Sequence, residues 1–398
     1  MADTYASHFS MNNIPYGIAS SSIRQSPQCA TQIGDEVIFL AELAEHDSLN
    51  AIQAPLSSIL REPTLNTFAA LGKDIQSRKN KTCAKYSEKI SDVTLHMPVH
   101  VGDFTDYSAS ANHVLNAGQA VQGVRAYPPA FKKYPVGYAG RSSSITVSGA
   151  SVTRPLGQFI EDYTVPDKKI VFGPSRGLDY EMEIAAVIGK PVEAGTHLNP
   201  KDADDHIFGL VLLNDWSARD IQGLEMNPLG PFNGKNFMTS ITPWIVTLEA
   251  LKPHEVSAPP RMEPVASFMD DPKSINYNIQ LEGQIIRNGN QTTTCKVGFE
   301  TMYWTFRHML AQHTIGGCSL RTGDLIASGT VSGEQDHEHG CLLELTKNGK
   351  VPSKLSDGSE LRYLNDGDEV HYMGVVGDGS AGVGFGSIVG TVKPARKL

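Results

Sequence analysis

The sequence has few cysteines, no long apolar run and no excess of basic residues. Its five cysteines are scattered and form no Cys-x-x-Cys motif, so we expect buried thiols in a reducing compartment rather than disulfides or a zinc site. No stretch approaches the length of a membrane span. The first residues include an acid and no apolar core, which argues against a secretory signal. We therefore expect a cytoplasmic protein with no membrane partner.

The charge balance of the chain is acidic. Its 398 residues carry a formal net charge of −9, and no basic stretch stands out, so a nucleic-acid partner is not expected. No Gly-x-Gly-x-x-Gly motif follows a strand-like run, which argues against a nucleotide-binding fold. With 40% hydrophobic residues, the chain is long enough for one large or two moderate globular domains.

Turn residues and strand patterns divide the chain near residue 95. In the first part, residues 1–95, the pair Gly34–Asp35 predicts a turn that is followed by a strand over 36–40. In the second part, residues 96–398, short β-type runs are broken by Gly, Pro and Asn or Asp, and one amphipathic helix is predicted over 301–313. The prediction is a strand-rich α+β fold without alternating βαβ units.

Four acidic residues lie in settings that are typical of buried strand ends. Glu181 and Glu183 are two residues apart just before an apolar run, so on a strand both side chains point to one face, about 7 Å apart. Two anions this close repel unless a proton or a cation lies between them. Asp106 and Asp215 occupy similar settings. If the four converge, they form an all-oxygen site for Mg²⁺, Ca²⁺ or Mn²⁺.

Several ordered motifs together resemble the fumarylacetoacetate hydrolase family. The resemblance covers nearly the whole chain and is carried by Ile-Pro-Tyr-Gly at 14–17, Gly-Asp-Phe-Thr-Asp-Tyr at 102–107, Tyr-Pro-Val-Gly-Tyr at 134–138, Leu-Asp-Tyr-Glu-Met-Glu at 178–183, the segment 213–221, Leu-Gly-Pro-Phe-Asn-Gly-Lys at 229–235 and Ser-Gly-Thr-Val-Ser-Gly at 328–333. It implies a small SH3-like barrel at the N-terminus, a larger mixed β-roll domain that carries the site, and a homodimer.

The resemblance also implies a chemistry. It is the metal-assisted hydrolysis of a carbon–carbon bond in a β-diketone acid, by default fumarylacetoacetate, which gives fumarate and acetoacetate in tyrosine and phenylalanine catabolism. Water must attack a ketone, and the departing carbon must leave as an enolate-like anion. A divalent cation that draws charge from the dicarbonyl oxygens assists both steps, which is a sufficient reason for four converging carboxylates.

A histidine and a glutamate form the expected general-base pair. By spacing alone, His113 would be interpreted as a structural histidine, but it matches the family's base, and a neutral imidazole suits the removal of a proton from water. Glu344 matches the carboxylate that orients this base. It is embedded among leucines in a segment that we expect to be a strand, and a buried acid requires a partner, which supports the pairing independently.

Three further polar residues, Arg219, Gln222 and Lys235, match donors to the developing anion in the family. From the residues alone, Arg219 could equally form a structural ion pair in a capped loop, and Lys235 could be a turn lysine. The resemblance also places Lys235 and Thr239 near the metal ion. Both interpretations stay open at this point.

The resemblance assigns a substrate pocket, with predicted lining residues Ser108, Gln122, Tyr138, Gln222, Met226 and Thr330. Three of these depart from the family: Ser108 and Met226 stand where a tyrosine is usual, and Gln122 stands where an arginine is usual. Glutamine cannot bind a carboxylate bidentately as arginine does, and Arg125 is a candidate replacement. The alternative function is therefore a paralogue that hydrolyses, decarboxylates or isomerises another β-diketone or acyl-carbonyl metabolite in a specialised biosynthetic pathway.

Overall fold

Three β-sheets carry most of the regular structure in the computed structural model, which describes residues 8–46, 56–72, 86–377 and 382–398. The strands are β1 (Gly17–Ser21), β2 (Gln28–Ile33), β3 (Glu36–Phe39), β4 (Ser87–Lys89), β5 (Val93–His96), β6 (Phe104–Tyr107), β7 (Gly137–Ala139), β8 (Ile145–Val147), β9 (Val152–Thr153), β10 (Leu156–Ile160), β11 (Ile170–Pro174), β12 (Leu178–Asp179), β13 (Met182–Ile188), β14 (Ile207–Asp215), β15 (Ser217–Ala218), β16 (Thr239–Ile241), β17 (Glu255–Ser257), β18 (Ile275–Tyr277), β19 (Gln280–Arg287), β20 (Asn290–Gly298), β21 (Leu325–Ala327), β22 (Ser353–Lys354), β23 (Glu360–Leu361), β24 (Glu369–Val376) and β25 (Val383–Lys393).

The helices are fewer and mostly short, and among the described residues each is too short or too polar to span a lipid bilayer. The α-helices are α1 (Leu40–His46), α2 (Leu56–Ile59), α3 (Asn66–Ala70), α4 (Ala111–Gln122), α5 (Arg219–Leu229), α6 (Leu248–Leu251), α7 (Phe306–Thr314) and α8 (Leu342–Leu345). Single 3₁₀ turns cover Ile90–Asp92, Pro129–Lys132, Ser142–Ser144, Pro200–His206, Lys252–His254, Ser267–Met269, Phe299–Thr301 and Asp336–Glu338. The strand-rich α+β prediction is confirmed at this level.

The N-terminal part forms a five-stranded sheet in the order β4-β3-β2-β1-β5. All of its strand pairs are antiparallel. The turn predicted at Gly34–Asp35 joins β2 to β3, and Gly34 adopts a positive φ of 60°, which glycine tolerates best. The predicted strand ends one residue early, at Phe39, because Leu40 begins α1.

A seven-stranded mixed sheet, in the order β7-β6-β21-β13-β14-β16-β8, lies at the centre of the remaining chain. Strands β21 and β6 are parallel, as are β16 and β8. Every residue of β13 is buried, and its side chains alternate between two apolar cores. Ile184 and Ala186 face the main core, whereas Ala185 and Val187 face a second core that includes Tyr16 of the N-terminal part.

The third sheet, in the order β20-β19-β24-β25-β9, packs against the central sheet through the main core. The Tyr372 hydroxyl on β24 donates to the backbone carbonyl of Glu183, at 3.0 Å, and to that of Leu213. Both acceptors are in adjacent strands of the central sheet. This contact fixes the backbone of the predicted site residue Glu183 and of its cross-strand partner Leu213.

One sequence prediction about local structure is confirmed with a later start, and another is wrong. The helix predicted over 301–313 is α7, which starts at Phe306, because the amides of Tyr303 and Trp304 instead bond to the Ala109 carbonyl at 3.1 and 3.2 Å. The segment around Glu344 is helix α8 and not a strand. There, the Asp179 carboxylate accepts the first amides of the helix, which satisfies donors that a helix start leaves free.

Candidate active site

The four predicted carboxylates converge at one end of the central sheet. Asp106 lies on β6, Glu183 on β13 and Asp215 at the end of β14, while Glu181 precedes β13 and forms an isolated bridge with Cys341. All four side chains are buried. One oxygen from each lies within 4.8 Å of the corresponding oxygen of the others. These residues, called the carboxylate cluster below, have the proximity that the sequence predicted.

Strand register explains this convergence. Glu183 is opposite Leu213 on β14, and Asp215 lies two residues farther along, so both acids point to the same face. Thr239 of β16 is opposite Asp215 and donates its hydroxyl to Asp215 Oδ1 at 3.1 Å. Asp106 approaches from β6, which is separated from β13 only by β21.

Two buried cations lie against the cluster. Lys235 Nζ contacts Glu181 Oε2 and Asp215 Oδ2. Arg219 Nη2 lies 2.7 Å from Glu181 Oε1, and Arg219 Nε donates to Asp179 Oδ2 at 2.8 Å. Both residues are thus ion-paired inside the site, which excludes a solvated turn position for Lys235. If every carboxyl ionises, five carboxylates and two cations leave a net charge of −3.

The electrostatics differ between the two halves of the cluster. Burial and repulsion from Asp215 raise the pKa of Asp106 to about 8. Burial and the neighbouring acids raise the pKa of Glu183 well above its usual range, and burial also raises the pKa of Asp215. Burial opposes ionisation of Glu181 as well, but Arg219 and Lys235 outweigh it and hold the pKa of Glu181 below its usual range.

The cluster fits a hard divalent cation. Within the described part of the chain, both carboxylate oxygens of Glu183 and Oδ1 of Asp106 are buried without a hydrogen-bond partner. Buried polar atoms are normally paired, and an excess of negative charge in a dry site requires protons or a cation. Four converging carboxylates are the oxygen ligands that Mg²⁺, Ca²⁺ and Mn²⁺ prefer.

His113 and Glu344 form the predicted pair next to this cluster. Helix α4 begins at Ala111, and the hydroxyl of the capping Ser110 accepts the amide of His113 at 3.2 Å. His113 Nδ1 lies 2.8 Å from Glu344 Oε2. The pKa of Glu344 is lowered, since His113 outweighs the effect of burial. A carboxylate accepts only, so Nδ1 donates and Nε2 keeps the lone pair that a base needs.

Burial lowers the pKa of the His113 imidazole, but the Glu344 carboxylate outweighs this effect, and the net pKa of His113 is raised above its ordinary 6.5.

Glu344 is held by three further donors that sequence reasoning missed. Ser332 Oγ donates to Oε2 at 2.8 Å, Cys341 Sγ donates to Oε2 at 3.1 Å, and Asn116 Nδ2 donates to Oε1 at 3.0 Å. The role of Asn116 could have been predicted from the sequence, because a residue three positions after His113 lies on the same helical face. Ser332 and Cys341 carry no such local signal.

Asp179 is another residue of the site that was not predicted from the sequence. It accepts the amides of Leu342 and Leu343 at 2.8 and 2.9 Å, and it also accepts from Arg219. The buried Asp179 carboxylate therefore links helix α8, which carries Glu344, to Arg219, which is ion-paired with the carboxylate cluster.

Two of the predicted pocket residues contact the cluster or a cation paired with it, and a third is buried. Tyr138 Oη donates to Asp215 Oδ2 at 3.0 Å, Gln222 Oε1 accepts from Arg219 Nη1 at 3.2 Å, and Thr330 is buried with an unpaired hydroxyl among the described residues.

The three residues that depart from the family pattern lie farther out. Ser108 is half-buried two residues after Asp106. Gln122, the last residue of α4, is exposed, and Met226 on α5 is 49% exposed. In the described ranges, no hydrogen bond or ion pair joins Gln122 or Met226 to the cluster. Arg125 Nη1 instead donates to Asn116 Oδ1 at 2.6 Å.

A mixed sheet that carries a buried carboxylate cluster beside a histidine–glutamate pair is an arrangement that suits a hydrolase with a divalent cation. Residues 103–393 match the family described as fumarylacetoacetate (FAA) hydrolase C-terminal, and residues 12–88 match fumarylacetoacetase N-terminal. The chain belongs to the fumarylacetoacetate hydrolase family, which confirms the resemblance.

Curated relatives match over nearly their full length. The chain is 42% identical to a fumarylacetoacetase of Aspergillus fumigatus, over 98% of this chain and 97% of the relative. It is 37% identical to the fumarylacetoacetase of Homo sapiens, over 98% and 97%. A solved fumarylacetoacetate hydrolase from psychrophilic Exiguobacterium antarcticum has a TM-score of 0.55 at 18% identity, over 96% of this chain and 100% of that chain. The structural likeness supports the fold alone.

Proposed function

We propose that this enzyme is a hydrolase acting on carbon–carbon bonds that converts fumarylacetoacetate and water to fumarate and acetoacetate in tyrosine and phenylalanine catabolism. The observation that carries the proposal is the similarity of almost the whole chain to fumarylacetoacetases at 37–42% identity. This similarity does not favour the alternative of a paralogue with another substrate or outcome. Ser108, Gln122 and Met226 are therefore interpreted as changes within a pocket for the same substrate.

A divalent cation would be held by Asp106, Glu181, Glu183 and Asp215, with Mg²⁺ or Ca²⁺ expected and Mn²⁺ also compatible. Bound there, it would supply Lewis-acid polarisation of the two carbonyl oxygens of the diketone. The unpaired oxygens of Glu183 and Asp106 support this assignment.

His113 is proposed to take the proton of the attacking water at Nε2. Glu344 holds Nδ1–H, so it fixes the tautomer and stabilises the imidazolium that forms. The helical start at Ser110 and the three further donors to Glu344 hold the pair in a single orientation.

Arg219, Gln222 and Lys235 are proposed to donate hydrogen bonds to the oxygens on which negative charge develops. Their present contacts support this role, because each lies on the cluster or one hydrogen bond from it. Lys235 and Thr239 also orient the proposed metal ligands Glu181 and Asp215. The remaining pocket lining is proposed to comprise Ser108, Gln122, Tyr138, Met226 and Thr330.

The test is a steady-state assay of the purified protein with fumarylacetoacetate, following loss of the diketone absorbance with and without divalent cations. We expect turnover with Mg²⁺ or Ca²⁺ and its loss in excess chelator. Unchanged absorbance with each of Mg²⁺, Ca²⁺ and Mn²⁺ would remove this substrate.

We further propose two domains, an SH3-like barrel over residues 1–95 and a β-roll catalytic domain over 96–398. The two family matches end at residue 88 and begin at residue 103, on either side of this boundary. The short antiparallel strands of the N-terminal sheet support the barrel. Limited proteolysis should cut first between β5 and β6, in the irregular segment 97–103 just after the boundary. The free thiols of the described cysteines support a cytoplasmic location.

A homodimer is proposed from an apolar surface beside the site. The hairpin β10–β11 packs on α5 through Phe159 and Ile221, and this unit and the residues next to it carry several exposed apolar side chains. Its exposed side chains are Tyr163, Val165, Ile170, Phe172, Met226, Leu229 and Phe232. Exposed apolar patches mark interaction surfaces. Sedimentation should give a dimer that Phe172→Asp dissociates, and a wild-type monomer at micromolar concentration would contradict this.

A further inference from the structure

We propose that Arg125, acting through Asn116, is a positioning residue for the His113–Glu344 pair. Three hydrogen bonds join the exposed guanidinium to the imidazole. Arg125 Nη1 donates to Asn116 Oδ1 at 2.6 Å, Asn116 Nδ2 donates to Glu344 Oε1 at 3.0 Å, and Glu344 Oε2 lies 2.8 Å from His113 Nδ1. The inference rests on the proposed function, because it concerns the base of that reaction.

Local backbone geometry makes this chain of contacts feasible. Asn116 lies three residues after His113 on α4, so both side chains point toward α8. Helix α4 ends at Gly123, whose φ of 73° is left-handed, a conformation that favours glycine. The chain then reverses beside the helix, and Arg125 reaches back to Asn116 across about two turns.

The direction of the hydrogen bonds is fixed at both ends. Arginine can only donate, so it must contact the oxygen of the Asn116 amide. An ionised Glu344 can only accept, so it must contact the nitrogen of the same amide. Arg125 therefore selects the one amide orientation in which Asn116 supports Glu344. Without Arg125, only the Glu344 contact among the described residues holds the Asn116 amide, so Asn116 positions Glu344 Oε1 less rigidly.

The position of Arg125 distinguishes it from the buried cations of the site. Arg219 and Lys235 are both ion-paired within the carboxylate cluster. Arg125 is exposed and forms no ion pair among the described residues. A substitution there leaves the core unchanged, so an effect on catalysis would not arise from misfolding.

The test is a double-mutant cycle in Mg²⁺-loaded enzyme with fumarylacetoacetate. We expect Arg125→Met to lower kcat by roughly 10-fold, the low end of the roughly 10–100-fold loss seen when a partner that orients a metal-bound histidine is removed, with KM little changed. Arg125→Lys should recover part of the loss, because lysine keeps a donor. In an Asn116→Leu background, Arg125→Met should cost nothing further. Full additivity of the two losses would overturn the proposal.

Lys350→Met is the matched control. Lys350 Nζ donates to the Ala120 carbonyl of the same helix at 2.8 Å and touches neither Glu344 nor Asn116. We expect its kcat to equal that of the wild type. A loss as large as that of Arg125→Met would show that any damage to α4 lowers activity, which would also overturn the proposal.

A second readout does not depend on the substrate. The Nδ1 proton resonance of His113, bonded to a carboxylate, is measured by ¹⁵N-histidine NMR in Mg²⁺-loaded protein. Arg125→Met should shift this resonance, whereas Lys350→Met should not. If wild type fails to hydrolyse fumarylacetoacetate but the shift is present, the proposed function falls and the positioning role stands. An unchanged resonance overturns the positioning role.

Discussion

The side chain of Glu183 is buried without a hydrogen-bond partner among the described residues, so Glu183→Gln should change the stability of the protein in opposite ways without and with a bound cation. Both carboxylate oxygens are buried without a partner, and the pKa is raised by burial and by neighbouring acids. In chelator, this side chain destabilises the fold, so its neutral isostere should be more stable than wild type. With Mg²⁺ present, the same change removes a proposed metal ligand, so the variant should gain less stability from the ion.

The magnitude follows from general values. While the folded pKa of Glu183 stays above the pH, keeping its proton costs the fold about 1.4 kcal/mol for each pH unit above the ordinary value of 4.5, or about 2 kcal/mol at pH 6. With an unfolding entropy of about 2.1 cal/mol/K per residue, the 398-residue chain shifts its Tm by about 1.2 °C per kcal/mol. Glu183→Gln, which needs no proton, should therefore raise the metal-free Tm by about 2 °C at pH 6. Mg²⁺ at 100 times its Kd should stabilise wild type by about 2.7 kcal/mol, or about 3 °C.

The pH dependence has a definite sign. An acid whose folded pKa exceeds its unfolded value binds more protons when folded, so metal-free stability falls as pH rises above the ordinary carboxyl pKa of 4.5. The advantage of Glu183→Gln in chelator should therefore grow from pH 6 to pH 8.

Differential scanning fluorimetry with chelator and with Mg²⁺ measures both arms, and Glu255→Gln, an exposed acid on β17, is the control that should change neither. A variant that is less stable in chelator, or that keeps the full Mg²⁺ shift, would refute the account of the cluster.

Three further changes test other parts of the site. His113→Ala should abolish turnover and leave the metal content, measured by atomic emission, unchanged; wild-type rates would place the base elsewhere. Glu344→Gln should lower kcat and move the acid limb of kcat/KM to lower pH, because the carboxylate that raises the pKa of His113 is gone; an unmoved limb would contradict the pairing. Lys235→Met should destabilise the metal-free fold by about 3–5 kcal/mol, since two buried carboxylates lose their partner, and unchanged chemical denaturation would show that the ion pairs contribute little.

The paired glutamates were predictable because their signal is local. Two acids at a spacing of two, ahead of an apolar run, indicate a buried face of a strand, and both side chains are buried. Their meeting with Asp106 and Asp215 was not predictable from spacing. It depends on the register of β6, β21, β13 and β14, which pairs residues far apart in sequence, and only the family resemblance supplied it.

The element around Glu344 was mispredicted because a distant residue decides it. A run of apolar residues that flanks an acid fits a strand as well as a short helix. Asp179 lies 163 residues away and caps the amides of Leu342 and Leu343, which favours the helix. The burial of Glu344 and its need for a partner could still be deduced, because burial follows from composition whereas capping follows from tertiary structure.

The two halves of the carboxylate cluster explain how one site can accept and retain a cation. Glu181 stays ionised because Arg219 and Lys235 pair with it, so one ligand is already deprotonated when a divalent ion enters the buried space. Asp106 and Glu183 lack such partners and hold protons when no cation is present. Cation entry must therefore release protons, and the affinity should rise with pH. The same asymmetry requires that Lys235 stay in place, since it keeps Asp215 and Glu181 from repelling each other before the ion arrives.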